Sequence, residues 1–169
     1  MPETNQTATL IRGHQLIDNP WHVVEPDQQS LPEDEAPLLV PIAMWLQHQD
    51  ALRARSQPVG VLIQPHEDPY ALLQEGVFQG AGLSTIAINF PAYTDGRGFS
   101  IAQMLRNELH WEGELRAVGD VLIDTIFYLA RCGFDSFLVK PGHDPEKALA
   151  AFKTFTVAYQ RAYREVVTL

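Results

Sequence analysis

The chain has 169 residues, of which 46% are hydrophobic and 20% are charged, a balance typical of one folded domain with a substantial core. No apolar run reaches the roughly 18–20 residues that cross a bilayer, which disfavours a membrane protein. A net charge of −9 without a Lys/Arg cluster disfavours binding to nucleic acid. The single cysteine, Cys132, excludes an internal disulfide and a CxxC dithiol. Residues 1–6 show no signal-peptide pattern, so we expect a cytoplasmic protein.

The first part of the chain differs in character from the rest. Residues 9–17 hold two short apolar runs around Arg12-Gly13-His14, which predicts a β-hairpin. Residues 25–37 are acidic and rich in proline, which is typical of a surface arm or linker. The sequence therefore predicts an N-terminal hairpin and arm over residues 1–36 and a single α/β domain over residues 37–169.

From Pro37 onward, short apolar runs alternate with helical patterns. The predicted strands are 38–40, 59–63, 85–90, 115–118 and 136–139, and the predicted helices are 43–53, 68 to about 76 or 80, 101–109, 121–131 and a last one that begins at Asp144-Pro145. About five strand–helix units imply right-handed crossovers and a mostly parallel sheet. Five units are too few for an eight-fold barrel. The pattern favours a flavodoxin-like open sheet first and a partial barrel, completed by a homodimer, second.

The loop at residues 93–100 is the first candidate site. It follows the predicted strand that ends at Phe90, and parallel sheets bind ligands beyond the carboxyl ends of their strands. Gly96 and Gly98 permit a positive φ and a close approach of the backbone to a ligand. The helix that follows offers free N–H groups, and the planar fork of Arg97 suits an oxyanion such as sulfite, sulfate, phosphate or carboxylate.

Three more side chains of this loop are candidates. The candidate catalytic groups are Tyr93, Asp95 and Arg97, with Tyr93 as a proton donor and Asp95 as a proton acceptor. Ser100 is a candidate anion ligand in the first turn of the helix. An alternative interpretation stays open, in which residues 94–96 form a tight turn and Ser100 caps the helix. The Gly-x-Gly lacks the third glycine of a dinucleotide fingerprint and the Gly-Lys-Ser/Thr of a P-loop.

A second group lies around the fourth predicted strand. Arg116 is expected at the end of that strand, where its guanidinium could join Arg97 at one anion-binding rim. Gly119, Asp120 and Asp124 are further rim candidates, and the two carboxylates are expected to share a helical face. As an alternative, Asp120 caps the helix and both carboxylates complement its dipole.

The sequence holds no evident metal or cofactor site. No two histidines have the i,i+4 spacing of metal ligands, and no Cys/His cluster occurs. Cys132, at a predicted helix C-terminus, is expected to be buried and inert. His66 and His143 each follow a predicted strand and could join the rim. No flavin or nicotinamide fingerprint is present.

Four blocks of sequence resemble one bacterial family, the domain of unknown function 934. The blocks are residues 90–98, 113–122, 131–135 and 155–160. Members of that family are commonly labelled as oxidoreductases of sulfite reduction, largely because their genes lie beside those of sulfite reductase. The resemblance implies a role in sulfur assimilation, but no established catalytic residue can be carried over.

Together, the rim and the resemblance lead us to expect an accessory protein or enzyme of assimilatory sulfite reduction that binds a small anionic ligand. Two alternatives remain. One is a non-catalytic partner of sulfite reductase, in assembly or electron delivery. The other is an isomerase- or hydrolase-type enzyme that acts on a phosphorylated metabolite. Whether the chain is itself an enzyme stays open at this point.

Overall fold

The computed structural model describes residues 9–28, 30–33, 35–70, 82–140 and 142–153. These residues form eight strands, β1 (Leu10–Arg12), β2 (Gln15–Ile17), β3 (His22–Val23), β4 (Leu38–Pro41), β5 (Val59–Ile63), β6 (Leu83–Phe90), β7 (Glu114–Gly119) and β8 (Ser136–Leu138). They also form five α-helices, α1 (Ile42–Gln47), α2 (Gln49–Arg53), α3 (Arg97–Asn107), α4 (Ile126–Arg131) and α5 (Pro145–Ala151), and a 3-10 turn at Ile123–Thr125. The predicted α/β class is confirmed.

The predicted hairpin is formed by β1 and β2. The two residues between them, Gly13 and His14, have φ of 51° and 64°, so the turn has the left-handed backbone that matches the twist of an antiparallel pair. The other edge of β1 pairs antiparallel with β8, with Ile11 opposite Phe137. The hairpin therefore extends the main sheet at one edge.

All eight strands belong to one mostly parallel sheet, with the order β2-β1-β8-β7-β6-β5-β4-β3. From β3 to β8 the strands are parallel and lie side by side in chain order. A flavodoxin-like sheet reverses its order once, so the expected flavodoxin-like order is not the one observed. A sixth parallel strand, β3, was not predicted, because two residues are too short a run to show a period.

The sheet must be curled, because a short link joins its two edges. β2 and β3 are the edge strands, and only residues 18–21 connect Ile17 to His22. That link spans at most about 18 Å, whereas the outer strands of a flat eight-stranded sheet lie about 34 Å apart. A contact across the curl agrees with this: the Arg116 guanidinium carbon on β7 lies 4.6 Å from the ring centroid of Trp21, which precedes β3.

The two faces of the sheet bury different side chains. One face packs against the helices and holds the main core, with Val61, Ile88 and Ala117 among its members. The other, concave face carries a small second cluster, whose buried members are Leu39, Ala87 and Val118 and whose partly buried members are Trp21, Val23, Leu62 and Leu138. Because side chains alternate along a strand, the residue two positions after a member of this second cluster also faces the concave side while the strand continues.

Two predicted helices are shorter or broken. The pattern at 121–131 gives a helix only from Ile126, because the backbone of Val121 instead accepts a hydrogen bond from Lys140 N–H at 3.1 Å and the 3-10 turn follows. The pattern at 43–53 gives α1 and α2, separated at His48, whose φ of −123° and ψ of 28° leave the helical region.

The predicted cap at the last helix is present. The Asp144 carboxylate accepts a hydrogen bond from Glu146 N–H at 3.0 Å, and Pro145 occupies the first turn. Most of the helix predicted from residue 68, and the part of the last predicted helix beyond Lys153, lie outside the described residues.

Candidate site at the carboxyl ends of the strands

The loop between β6 and α3 supplies its own anion to the helix start. Asp95 Oδ1 accepts hydrogen bonds from the Arg97 backbone N–H at 3.1 Å and from Arg97 Nε at 2.9 Å. Arg97 Nη2 lies 2.7 Å from Asp95 Oδ2. These hydrogen bonds from Arg97 lower the pKa of Asp95. The fork of Arg97 and the first N–H of α3 are therefore engaged by a carboxylate of the same loop.

The two loop glycines do not have the backbone that the sequence led us to expect. Gly96 has a φ of −77°, and neither Gly96 nor Gly98 is among the glycines with positive φ. A Cβ at Gly98 would lie 2.5 Å from the ring of Phe90, so Gly98 allows α3 to pack closely on the end of β6. The expectation of positive φ was wrong, and Gly98 has a packing reason to be glycine.

The other loop candidates face different surroundings. Tyr93 is exposed, and its backbone N–H donates to Asp120 Oδ2 at 2.8 Å. Ser100 lies in the first turn of α3 and does not cap the helix, whose N-cap residue is Gly96. It is exposed and lines a groove on the helical side of the sheet. The loop therefore reaches the strand ends through Tyr93 rather than through Ser100.

Arg116 lies inside the sheet and not at the rim. It stands in the middle of β7, opposite Ala87 on β6 and Ser136 on β8, and is only 1% exposed. Its Nη2 and Nε donate to Glu114 Oε1 at 2.6 and 3.0 Å, and Nε also approaches Ser136 Oγ at 3.2 Å. Burial lowers the pKa of Arg116, and Glu114 partly opposes this shift. Its side chain turns toward the amino end of β7, so the structure does not bring Arg116 to the loop of Arg97.

Asp120 does reach the loop. Oδ2 accepts the Tyr93 N–H, Oδ1 lies 2.7 Å from Lys140 Nζ, and the Asp120 N–H donates to the Phe90 carbonyl at 2.7 Å. The caps of the 3-10 turn and of α4 are Leu122 and Thr125, so the alternative of a helix cap is wrong. Asp124 is exposed on the 3-10 turn. The expected helical face shared by Asp120 and Asp124 does not form, because the chain is not helical between them.

Four polar side chains line the carboxyl ends of four neighbouring strands, and we call them the polar arc: Gln64, Asn89, Asp120 and Lys140. Asn89 Nδ2 donates to Gln64 Oε1 at 2.8 Å, and Asp120 pairs with Lys140. Gly119, which precedes Asp120, brings the two pairs close together. It lies so near Asn89 that a Cβ there would collide with Asn89 Oδ1 and the Phe90 carbonyl. Gly119 also has a φ of 92°, which favours glycine.

The polar arc stands above an apolar floor. Each of its members lies two residues beyond a side chain of the second apolar cluster, and these floor residues are Leu62, Ala87, Val118 and Leu138. Alternation along β6 places Asn89 on the concave face, and Gln64 lies there with it. Asp120 and Lys140 follow the ends of β7 and β8, and Gly119 lies against Asn89. Ala87 and Val118 are buried, while Leu62 and Leu138 are half-buried.

The neighbours of Asp120 hold its carboxyl group in the ionised form. The contact of Lys140 Nζ with Oδ1 and, next, the hydrogen bond from the Tyr93 backbone lower the pKa of Asp120, and the charge of His143 acts in the same direction. The side chain of Lys140 is 48% exposed and that of Asp120 is 16% exposed. An ammonium group has three donors, so Lys140 can bind Asp120 and still offer N–H groups to an anion.

Of the polar arc, sequence reasoning predicted Asp120 and missed Gln64, Asn89 and Lys140. It also suggested His143, which lies outside the polar arc. A signal was available. Each of the three stands two residues beyond an inward-facing apolar residue of a predicted parallel strand, at positions 62, 87 and 138. The faces of those strands could not be told apart, because both faces are apolar along most of their length.

A groove of about 610 Å³ lies between α3 and α4, on the helical side of the sheet. Its residues are Phe99, Ser100, Gln103, Met104, Asn107, Glu108, Tyr128, Arg131 and Cys132. Tyr128 is exposed and Cys132 is buried, as expected for the cysteine. Desolvation raises the pKa of the Cys132 thiol. The thiol is therefore poorly prepared to act as a nucleophile.

The described part of the chain shows neither a metal cluster nor a membrane-spanning helix. No three His, Cys, Asp or Glu side chains there lie close enough together to hold a metal ion. No helix within the same residues is long and apolar enough to span a membrane.

Comparison with known proteins gives the family. The family model described as a bacterial protein of unknown function, DUF934, matches residues 60–169. The chain belongs to this family, as its sequence blocks indicated. Neither a curated protein nor a solved structure matches it.

Proposed function

We propose that this chain acts in assimilatory sulfite reduction, as an accessory protein or enzyme, by binding an oxyanion at the polar arc. The proposal rests on the position of Lys140, a half-exposed cation at the carboxyl end of a parallel sheet. Asp120 sets the position of the Lys140 ammonium group. Ligand sites of parallel sheets lie at this end of the strands. The assignment to sulfite reduction rests on the family resemblance, and the cytoplasm is the compartment it implies.

Lys140 replaces Arg97, and Arg116 beside it, as the main anion ligand in this proposal. Arg116 is paired with Glu114 inside the sheet, while Arg97 is exposed but held by Asp95 in two hydrogen bonds from its side chain. Arg97 lies on the loop after β6, where two of its five N–H donors bind Asp95. Lys140 is itself a member of the polar arc, and one of its three donors is enough for Asp120.

A growth experiment tests the proposal. A strain that lacks this gene is complemented with wild type, with Lys140→Met or with Lys147→Met, and is grown with sulfate or with cysteine as the only sulfur source. Lys147 is an exposed lysine on α5 and serves as the matched control. We expect Lys140→Met to fail on sulfate and to grow on cysteine. Growth of Lys140→Met on sulfate at the wild-type rate, at equal protein level, would contradict the proposal.

One structural feature favours a second function, that of a non-catalytic partner of sulfite reductase. The groove between α3 and α4 presents the exposed ring of Tyr128 against Phe99, with ring centroids 5.0 Å apart. Tyrosine is enriched at protein interfaces. If this function holds, Tyr128→Ser weakens co-purification with sulfite reductase, while Lys140→Met leaves it unchanged.

The polar arc also favours the third function, an isomerase- or hydrolase-type enzyme for a phosphorylated metabolite. Asp120 and Lys140 form an adjacent acid–base pair at the end of parallel strands, where curled parallel sheets carry their catalytic residues. A phosphate ester that remains bound to the purified protein would favour this function over the role in sulfite reduction.

A further inference from the structure

We infer that the ligand of the polar arc is an organic oxyanion held at two points, and not a bare inorganic ion. Lys140 binds its tetrahedral anionic group, and the Gln64–Asn89 pair binds a neutral hydroxyl or similar polar group. Leu62 and Leu138 contact the carbon body between them. This inference rests on the site of the proposed function and specifies the class of ligand that it takes.

The strands that precede the two ends of the polar arc are separated by more than the width of one inorganic oxyanion. Gln64 follows β5 and Lys140 follows β8, so they are three strands apart in the sheet. This corresponds to about 14 Å along the sheet, shortened across the curl. A ligand that touches both ends needs a carbon skeleton.

The Gln64–Asn89 pair has the chemistry of a neutral hydrogen-bonding site. Asn89 Nδ2 donates to Gln64 Oε1, which fixes the orientation of the Gln64 amide. The Gln64 Nε2 group, with two donor hydrogens, finds no acceptor among the described residues. Amide groups carry both donors and acceptors, so this end of the polar arc matches a hydroxyl group better than a second anion.

The floor between the two ends is apolar and incompletely covered. Leu62 and Leu138 are half-buried on the concave face, next to the buried Ala87 and Val118. Apolar surface gains about 25 cal/mol for each Å² removed from water. An inorganic ion cannot cover these side chains, whereas a short carbon chain between an anionic group and a hydroxyl group can.

Calorimetric titration of the full-length chain tests this with matched probes. Inorganic phosphate and sulfite are compared with glycerol 3-phosphate and 2-hydroxyethanesulfonate, which carry an anionic group and a hydroxyl, and with propyl phosphate, which carries no hydroxyl. Comparison of the phosphate probe with the sulfonate probe shows whether the site prefers a phosphate group or a sulfonate group. The proteins are wild type, Lys140→Met, Gln64→Met and the control Lys147→Met, each checked for a native circular dichroism spectrum.

We expect at least one hydroxylated probe to bind wild type about tenfold more tightly than the inorganic ion with the same central atom. Lys140→Met weakens every anion, while Gln64→Met weakens the hydroxylated probe about tenfold and leaves propyl phosphate unchanged. Lys147→Met changes none of them. If Gln64→Met fails to bind because its fold is altered, Gln64→Glu keeps the oxygen that accepts from Asn89 and removes the amide donors.

Two results would overturn the inference and can be told apart. If inorganic phosphate or sulfite binds through Lys140 as tightly as the hydroxylated probes, the organic ligand is excluded but the oxyanion site stands. If no probe binds at millimolar concentration, or Lys140→Met binds them all like wild type, both the inference and the oxyanion site of the proposed function are overturned.

Discussion

The backbone N–H of Tyr93 donates a 2.8 Å hydrogen bond to the Asp120 carboxylate and so joins the loop after β6 to the end of β7. The other oxygen of Asp120 lies 2.7 Å from Lys140 Nζ, after β8. One carboxylate thus positions elements that follow three neighbouring strands. The stability that this carboxylate contributes should therefore depend on pH.

Asp120 should stabilise the protein at neutral pH and lose this effect only in acid. Its folded pKa is lowered by Lys140 and by the Tyr93 N–H, so its contribution is fully present above the unfolded value of about 3.9 and declines as pH falls through the lower folded value. Urea unfolding at a series of pH values checks this. Asp120→Asn should reduce the loss of stability below pH about 3.9 and leave the slope between neutral and weakly acidic pH unchanged. A change of slope near neutral pH would contradict the assignment.

Arg97→Ala should weaken oxyanion binding much less than Lys140→Met does. Arg97 binds Asp95 through two of its side-chain N–H groups on the loop, whereas Lys140 belongs to the polar arc and keeps two donors beside the one that Asp120 takes. Because the Arg97–Asp95 pair is on the surface, its loss should change the free energy of unfolding only slightly. Calorimetric titration with sulfite or phosphate compares the two variants. The opposite ranking would move the site to the loop at residues 93–100.

Gly119→Ala should disrupt the polar arc, while Gly96→Ala should not. The added Cβ at Gly119 would collide with Asn89 Oδ1 and the Phe90 carbonyl, and its φ of 92° strains any other residue. Gly96 has open space around it and a φ of −77°, so alanine fits there. We expect Gly119→Ala to lower both the melting temperature and the affinity for oxyanions. Equal melting temperatures for the two variants would show that the close contact at Gly119 is not needed.

Arg106→Met should destabilise the fold strongly, in contrast to Arg97→Ala. Arg106 is 0% exposed, and its guanidinium donates to the carbonyls of Trp111, Gly113 and Gly133 and to the Asp135 carboxylate. Removal of one partner of a buried ion pair costs about 3 to 5 kcal/mol. Chemical denaturation measures the loss. A loss of less than about 1 kcal/mol in the free energy of unfolding would mean that Arg106 contributes no more than an ion pair on the surface.

Cys132 should react slowly with thiol reagents in the native protein. It is the only cysteine, it is buried, and desolvation raises its pKa, so the thiolate is scarce at neutral pH. The rate of reaction with a disulfide reagent should rise sharply in urea, where the thiol becomes exposed. Fast labelling of the native protein would mean that the groove beside Tyr128 admits reagents and activates the thiol.

Local patterns predicted the elements better than their arrangement. The five predicted parallel strands form, and Asp144-Pro145 begins a helix, because apolar runs and caps act over a few residues. The order of the sheet depends on contacts between distant segments, such as Ile11 on β1 with Phe137 on β8. The curl depends on the short link at residues 18–21, which becomes informative only when β2 and β3 are known to be the edges.

The candidate site was predicted in part for the same reason. The loop of Tyr93 and the rim position of Asp120 follow from chain order, and the structure joins them. Arg116 looked equivalent because it is a cation near a strand end, but it lies three residues before Gly119 and faces Glu114 within the sheet. Lys140 could not be paired with Asp120 until β7 and β8 were known to be neighbours.

Anomalous diffraction from crystals soaked in a heavy tetrahedral oxyanion, such as tungstate, locates the anion-binding site itself. If Lys140 binds the oxyanion, a peak lies within hydrogen-bonding distance of Lys140 Nζ, at the polar arc, and is absent from crystals of Lys140→Met. A peak only beside Arg97 and the first turn of α3, or no peak at the carboxyl ends of β5–β8, would contradict it.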